Sequence, residues 1–361
     1  MEPFVILTGT DPATAKGGIG AVMNGYQDAL NKMGIAHECI LTYVPGSLLG
    51  KWYPWLKALP RLVGRVRSLK AQGKCPVMYC HAGAGLSLFR ECLVMLLAHW
   101  MGARTILQVH APEVDRYLNN RLQKWLLTLA FRPADRVCLL TRWWREKMWD
   151  AGIRSELRVV HNPLPSVLEQ TAKCDVAPKS QNASVTVLSM ARLVPGKGVD
   201  VVIRAMAMLP HHVRLVVAGD GKERKALESL ARELGVENRV SFVGWAEGET
   251  KTRLLQEADI FCLPSTYDAF PMSMVEAMAF GVPVVAVRWG GIPDMVADGR
   301  AGLLANRPEP DLVAAAICEL SDAEVRYRMA ARAKQWILEI SSAGVVGDNL
   351  SQLIQEVAEC K

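Results

Sequence analysis

Two acids, Asp268 and Glu276, lie eight residues apart in the stretch PSTYDAFPMSMVEAMAFG, residues 264–281. Ionised carboxylates only accept hydrogen bonds, so acids in such a turn suit the hydroxyls of a sugar. Between them the N–H groups of Ser273, Met274 and Val275 fall at a predicted helix start, where unpaired donors and the positive dipole end suit a phosphate. One turn could hold a sugar, a diphosphate and a ribose in succession. The same residues fit a plainer reading, with Ser273 as N-cap and Glu276 at capping-box spacing.

A second group is cationic. Arg192 and Lys197 bracket Pro195-Gly196 between a predicted strand, residues 185–190, and a predicted helix, residues 199–208. Two cations in a strand-to-helix loop can neutralise a departing diphosphate; a surface loop with solvated charges is the alternative. Gly17 and Gly18 precede a predicted helix at 21–33, where glycine lets backbone approach a phosphate closely, although the pair is also an ordinary turn. The dinucleotide pattern G-x-G-x-x-G does not fit there, which counts against a dehydrogenase. His81 and His110 each end an apolar run, residues 77–81 and 104–110. Ligands of open parallel sheets bind beyond such strand ends, and structural histidines occur there too. Neither a glycosidase-like carboxylate pair nor an Asp-x-Asp metal site is evident.

The elements behind these groups are short apolar runs alternating with helical patterns, the mark of doubly wound parallel sheets. In the second half, strands are expected at 185–190, 213–218, 239–243, 260–263, 283–286 and 302–304, and helices at 312–320, 324–340 and 349–360. At 361 residues the chain suits two domains. Boundaries are expected at 1–165, a polar linker at 166–183, a second domain at 184–340 and a terminal helix at 341–361.

With its acids, S-x-Y-D-x-F-P-x-x-x-x-E-A-M-A-x-G-x-P-V resembles the retaining glycosyltransferases of the large bacterial family 4, and Arg192-x-x-x-x-Lys197-Gly198 after a strand strengthens the likeness. It covers most of the chain and is most specific in the C-terminal half. The resemblance implies the GT-B fold, two Rossmann-like domains facing across a cleft with the last helix returning to the first. It also implies hexosyl transfer from a nucleotide-diphosphate sugar with retention and without a metal or other cofactor. By the same resemblance Gly17 and Gly18 lie under the donor diphosphate, His110 touches the donor sugar and His81 matches a weaker position. Gly219, Gly244 and Trp245 fall where the nucleotide is seated, and Ala269, Phe270, Ser273, Met274 and Val275 line the donor. Asp268 stands where the family usually has Glu and Ala269 where it usually has Gly. A carboxylate one methylene shorter reaches roughly 1.5 Å less, so neither base nor sugar can be borrowed from relatives.

Net charge is +6, unevenly placed. Residues 1–165 carry 21 Lys and Arg against 11 Asp and Glu, with seven of the ten tryptophans; the remainder carries 21 against 25. A positive, Trp-bearing half is expected to meet an anionic partner. Residues 39–90 contain no acid, and Trp55, Leu59, Leu62, Val66 and Leu69 recur there at helical steps, with Arg61 and Arg65 off the stripe and Pro60 suited to a first turn. That pattern, with a second cluster around Trp143 and Trp144, suits an anionic bilayer surface; inward packing of the stripe is the alternative. No nucleic-acid module is present. The acceptor is accordingly expected to be a lipid-linked glycan, with a soluble sugar phosphate, or silent binding of a nucleotide-sugar, as competing readings.

No apolar run is long enough to span a bilayer; residues 86–101 come nearest, interrupted by Arg90, Glu91 and His99. The N-terminus lacks a basic n-region and a cleavage site, and nine scattered cysteines without C-x-x-C read as buried reduced thiols. The expected place is the cytoplasm, peripheral on the inner face of the membrane.

Overall fold

The short apolar runs become strands because a parallel sheet is covered on both faces, and a strand buried on both faces needs continuous rather than alternating hydrophobicity. The computed structural model describes residues 1–10, 18–43, 48–175 and 184–359. The chain divides into two units, Met1–Ser166 with Ser341–Lys361, and Val167–Ile340.

Unit 1 runs β1 (Pro3–Thr10), α1 (Gly18–Lys32), β2 (His37–Tyr43), α2 (Leu48–Ala71), β3 (Cys75–Ala82), α3 (Leu86–Trp100), β4 (Arg104–Val109), α4 (Val114–Leu118), α5 (Arg121–Phe131), β5 (Arg136–Leu139), α6 (Arg142–Asp150) and β6 (Leu157–Val159). Its sheet has the order β2-β1-β3-β4-β5-β6, all pairs parallel. The order reverses beside β1, which opens a crevice at the carboxyl ends of β1 and β3. Arg90 and Glu91, which interrupt the apolar run of α3, are buried: Thr8 Oγ1 donates to Glu91 Oε2 at 2.7 Å and Thr42 Oγ1 to Oε1 at 2.5 Å. Burial raises the Glu91 pKa and the hydroxyls partly oppose that shift. The acid thereby fastens α3 to the carboxyl ends of β1 and β2.

Unit 2 follows α7 (Ser166–Lys173) with β7 (Val185–Met190), α8 (Val199–Met206), β8 (Val213–Ala218), α9 (Arg224–Glu233), β9 (Val240–Gly244), α10 (Gly248–Glu257), β10 (Ile260–Cys262), α11 (Met272–Ala279), β11 (Val284–Val287), α12 (Ile292–Val296), β12 (Gly302–Ala305), α13 (Pro310–Ser321) and α14 (Ala323–Ser341). Its order, β12-β11-β10-β7-β8-β9, is again parallel throughout. From β7 the chain winds to β8 and β9, then returns to β10 on the other side, so β7 and β10 flank the reversal. Val187, Leu215, Val217, Ile260 and Val285 supply part of the core. Helix α11 is apolar nearly all round and is buried nearly all round, as such a helix must be. The last helix, α15 (Ala343–Glu359), packs on α1 within unit 1.

Several expectations need correction. Helix α2 starts at Leu48, so Pro60 lies inside it with Pro54 instead of in a first turn; its inward face, Leu62, Val66 and Leu69, outweighs the hydrogen bonds that two prolines remove. The segment 166–183 opens as helix α7 instead of a featureless linker, and residues 176–183 lie outside the described residues. Strand β2 and helices α4 and α5 went unread. Among the eight described cysteines no disulfide forms, five are buried, and Cys174 and Cys318 are exposed.

Gly198 shows how closely the loops of unit 2 meet: it has φ +76, and a Cβ there would stand 2.4 Å from the Pro264 carbonyl oxygen. Gly34, at φ +68, has open space around it. Gly34→Ala is expected to cost about 1 kcal/mol of left-handed strain, and Gly198→Ala at least about 2 kcal/mol, because a clash adds to that strain. Urea melts of both variants check this; equal losses would show that the 191–198 and 264–268 loops are not in contact.

Candidate active site

The loops after β7 and β10 are joined by a cation. Lys197 is buried, and its ammonium donates to Asp268 Oδ1 at 2.5 Å and to the Tyr267 carbonyl at 3.4 Å. An ammonium has three protons, so one remains for an incoming anion. The other carboxylate oxygen, Asp268 Oδ2, accepts from Ser265 Oγ at 2.7 Å, and that same Oγ accepts from the Tyr267 N–H at 3.1 Å. The Thr266 N–H donates to the Gly196 carbonyl at 2.8 Å, which closes the two loops on each other. Asp268 was read as a holder of sugar hydroxyls; the structure places both its oxygens on partners within the protein, and each retains a lone pair. The shorter acid side chain fits a residue folded back onto Lys197.

Glu276 is buried in α11 and accepts from Lys251 Nζ of α10 at 2.8 Å. The capping box is overturned. The helix begins at Met272 with Pro271 as N-cap and no side-chain cap, and proline has no N–H for Glu276 to accept. The Met274 N–H turns to the Pro271 carbonyl at 3.0 Å and Val275 N–H to the same oxygen at 3.5 Å, so neither points freely outward. Ser273, half-buried in the first turn, keeps an N–H outside the helical ladder. The side chains of Met274, Val275, Ala269 and Phe270 are all buried.

Neighbouring loops complete the carboxyl edge of this sheet. Gly219 N–H donates to the Gly244 carbonyl at 2.7 Å, and a Cβ on Gly219 would stand 1.8 Å from the Ala191 carbonyl oxygen, so only glycine lets the β7 and β8 loops meet. Arg192, the next residue, is exposed and paired with no carboxylate among the described residues. Trp245 presents a partly exposed indole after β9, its Nε1 donating to Glu247 Oε1 at 2.5 Å. The structure thus gathers Arg192, Lys197, Gly219, Gly244, Trp245, Asp268 and the start of α11 onto loops at one end of one sheet. Ser265 and Lys251 were missed as site residues; Ser265 opens the S-x-Y-D motif, which could have pointed to it, whereas nothing in the surroundings of Lys251 separates it from ordinary polar surface.

In unit 1, His81 ends β3 and His110 follows β4, with His81 Nδ1 and His110 Nε2 2.9 Å apart. Burial pushes His110 down to about 3, and burial with the neighbouring ring holds His81 well below the ordinary histidine range, so both are neutral and share one proton. His81 Nε2 is buried with no partner among the described residues. A buried bare nitrogen costs less than a buried orphan N–H, which assigns the shared proton to His81 Nδ1 and leaves the other His110 proton on Nδ1. Gly17 lies outside the described residues; Gly18 is the first residue of α1.

Most of the residues read as a membrane side are packed in part against the protein itself. Trp144 is buried, and Trp143 packs edge-on against it beneath Lys147, which pairs with Asp115 at 2.5 Å. Trp55 is half-buried against Trp52, and Arg65 donates to Glu38 at 2.7 Å while covering Phe4; only Arg61 is exposed. Among the described residues no cluster of His, Cys, Asp and Glu could hold a metal ion, and no helix is long and apolar enough to cross a membrane.

Comparison with known proteins agrees with this fold. Residues 175–336 match the family model described as glycosyl transferases group 1. The chain is 32% identical over 285 residues to the lipopolysaccharide core biosynthesis glycosyltransferase LpsE of Rhizobium meliloti, covering 74% of this chain and 82% of that one. It is 26% identical to the alpha-D-kanosaminyltransferase of Streptomyces kanamyceticus, over 76% and 75%. Anabaena Alr3699/HepE, solved in complex with UDP, superposes with a TM-score of 0.73 at 19% identity, over 99% of this chain and 100% of that one. A glycosyltransferase from Rickettsia africae also gives 0.73, at 14% identity, over the whole of both chains. The fold is the two-domain α/β GT-B class.

The histidine pair gives a test of its own. In the unfolded chain each histidine takes a proton below about pH 6.5, whereas the folded pair stays neutral until far lower. Its contribution to stability is therefore complete above pH 6.5 and is lost as pH falls toward 3, by up to about 1.4 kcal/mol per pH unit for each ring. Denaturant melts at pH 7 and pH 4.5 should show a smaller loss for His110→Gln than for the parent. Parallel losses would mean that His110 protonates freely in the folded chain.

Proposed function

The chain belongs to the group 1 glycosyl transferases, and from that membership we propose that it moves a hexosyl group from a nucleoside-diphosphate sugar to a hydroxyl of a lipid-linked glycan, with retention and without a metal. Unit 2 holds the donor and unit 1 the acceptor. In the reaction the bond between the anomeric carbon and the diphosphate oxygen breaks, and a bond to the acceptor oxygen forms. The acceptor proton passes to the departing diphosphate. Negative charge accumulates on that leaving group, so the effective catalyst is a fixed positive field around it. The observation that carries this reading is Lys197, buried with a proton to spare and held by Asp268 beside the reversal point of the sheet. Arg192 supplies a second cation from the same loop, the Ser273 N–H a neutral donor, and the Trp245 indole a face for the base.

Glu276, paired with Lys251, accepts from a ribose or sugar hydroxyl through its remaining lone pairs. Support for the donor class comes from Alr3699/HepE, whose solved complexes contain UDP and UDP-glucose. Support for a glycan product comes from LpsE, which is named for lipopolysaccharide core biosynthesis.

Lys197→Ala removes the cation and also leaves Asp268 half-buried without its partner, so one variant confounds stability with chemistry. The double variant Lys197→Ala/Asp268→Ala is expected to recover most of the lost melting temperature while donor turnover stays about 10²-fold or more below the parent. Turnover that returns with stability would remove Lys197 from the chemistry. A thermal-shift series with UDP-, GDP- and ADP-sugars identifies the base, since a donor at 100 times its Kd adds about 2.7 kcal/mol. No shift with any of the three, together with no release of nucleoside diphosphate, would end the transferase reading.

A further inference from the structure

Helix α5 turns an apolar face to solvent. Leu122, Trp125, Leu126 and Leu129, spaced i, i+3, i+4 and i+7, are 65%, 59%, 49% and 45% exposed, while Leu127 and Phe131 on the opposite side are buried. This is an inverted distribution for a helix of a globular domain, since the four-residue stripe is wider than the face it buries. It is not frayed: Asn120 Oδ1 caps it by accepting from the Gln123 N–H at 3.1 Å. Together these side chains expose roughly 400 Å² of contiguous, largely apolar surface, about what the largest patch on an ordinary monomer shows.

The charges around the stripe identify what covers it. At 100° per residue Arg121 and Arg132 fall on one border of the stripe; both are exposed, and neither is paired with a carboxylate among the described residues. Residues 116–134 contain no acid at all. A second copy of the chain would set these like charges along the rim of a two-fold interface with no carboxylate to meet them. The area is also about half of what one partner gives to a standard protein interface. A bilayer rich in anionic headgroups answers both points, because leucines and an indole enter the acyl boundary while arginine stems lie along it with their guanidinium groups at phosphate level.

We propose that α5 is the surface by which this protein docks on an anionic lipid bilayer, through Leu122, Trp125, Leu126 and Leu129 with Arg121 and Arg132 at the headgroups. The inference deepens the reading of a lipid-linked acceptor and rests on it for its purpose; vesicle binding and nucleoside diphosphate release are separate readouts, so failure of one is distinguishable from failure of the other. The test is co-sedimentation of the full chain with vesicles of phosphatidylcholine alone or mixed with phosphatidylglycerol, at rising salt. Binding is expected on the mixed vesicles, weakening as salt screens the charges. Trp125→Ser/Leu126→Ser should abolish it. Arg121→Gln/Arg132→Gln, which keeps the apolar stripe, should weaken it by about fivefold for each arginine. Donor turnover on a water-soluble acceptor should be unchanged in both variants. The proposal is overturned if the parent ignores both vesicles, if it binds them equally, or if Trp125→Ser/Leu126→Ser still sediments. It is equally overturned if that variant turns a sedimenting dimer into a monomer, which would make the stripe a contact between copies.

Discussion

The ion pair between Lys197 and Asp268 is the constraint on which the loop cluster of unit 2 depends. A buried ammonium is costly unless a carboxylate and further hydrogen bonds accompany it, and here Asp268 is itself held by Ser265, while the Gly196 carbonyl accepts from the Thr266 N–H. That chain of contacts exists only because β7 and β10 are neighbours in the sheet although 69 residues separate the ends of their loops, Gly196 and Ser265. The reversal of strand order does what no local sequence can do, delivering two loops from distant parts of the chain to one spot. Glycine at 198 and 219 then lets backbone meet backbone there.

The two units repeat one topology and arm it with opposite chemistry. Both place their sites at the carboxyl ends of strands beside a reversal. Unit 2 presents the cations Arg192 and Lys197 and the Ser273 N–H at the start of α11. Unit 1 presents a neutral histidine pair over a sheet whose other carboxyl ends are tied down by the buried Glu91. Neutrality follows from burial, since desolvation disfavours the charged form of both rings, and the neighbouring His110 adds to the effect at His81. His110 is therefore a neutral ring in the folded chain.

Most of the strands were legible because parallel strands are buried on both faces and advertise themselves as apolar runs between turns. Strand β2 escaped because His37 and Glu38 open it and several of its residues are only half-buried. Helices gave the clearest failure. In α2 the periodic stripe with Trp and Arg beside it suggested a surface helix, and Leu62, Val66 and Leu69 turned out to be core. Helix α5 went unread, and four of its large side chains face water. Amphipathic spacing says that a helix has two faces; it does not say which one the sheet covers.

Composition, turn residues and periodicity were enough to indicate two doubly wound sheets, and the spacing of acids and cations together with the family resemblance selected Arg192, Lys197, Asp268 and Glu276, because those depend on short-range pattern and on side-chain chemistry. Pairings were another matter. That Lys197 is neutralised by Asp268, that Lys251 holds Glu276, that Pro271 displaces Ser273 as the cap, and that the outward apolar face belongs to α5 are all decided in three dimensions. Each turns on which elements the sheet order brings into contact, and contact between residues far apart in the chain leaves no local mark on either.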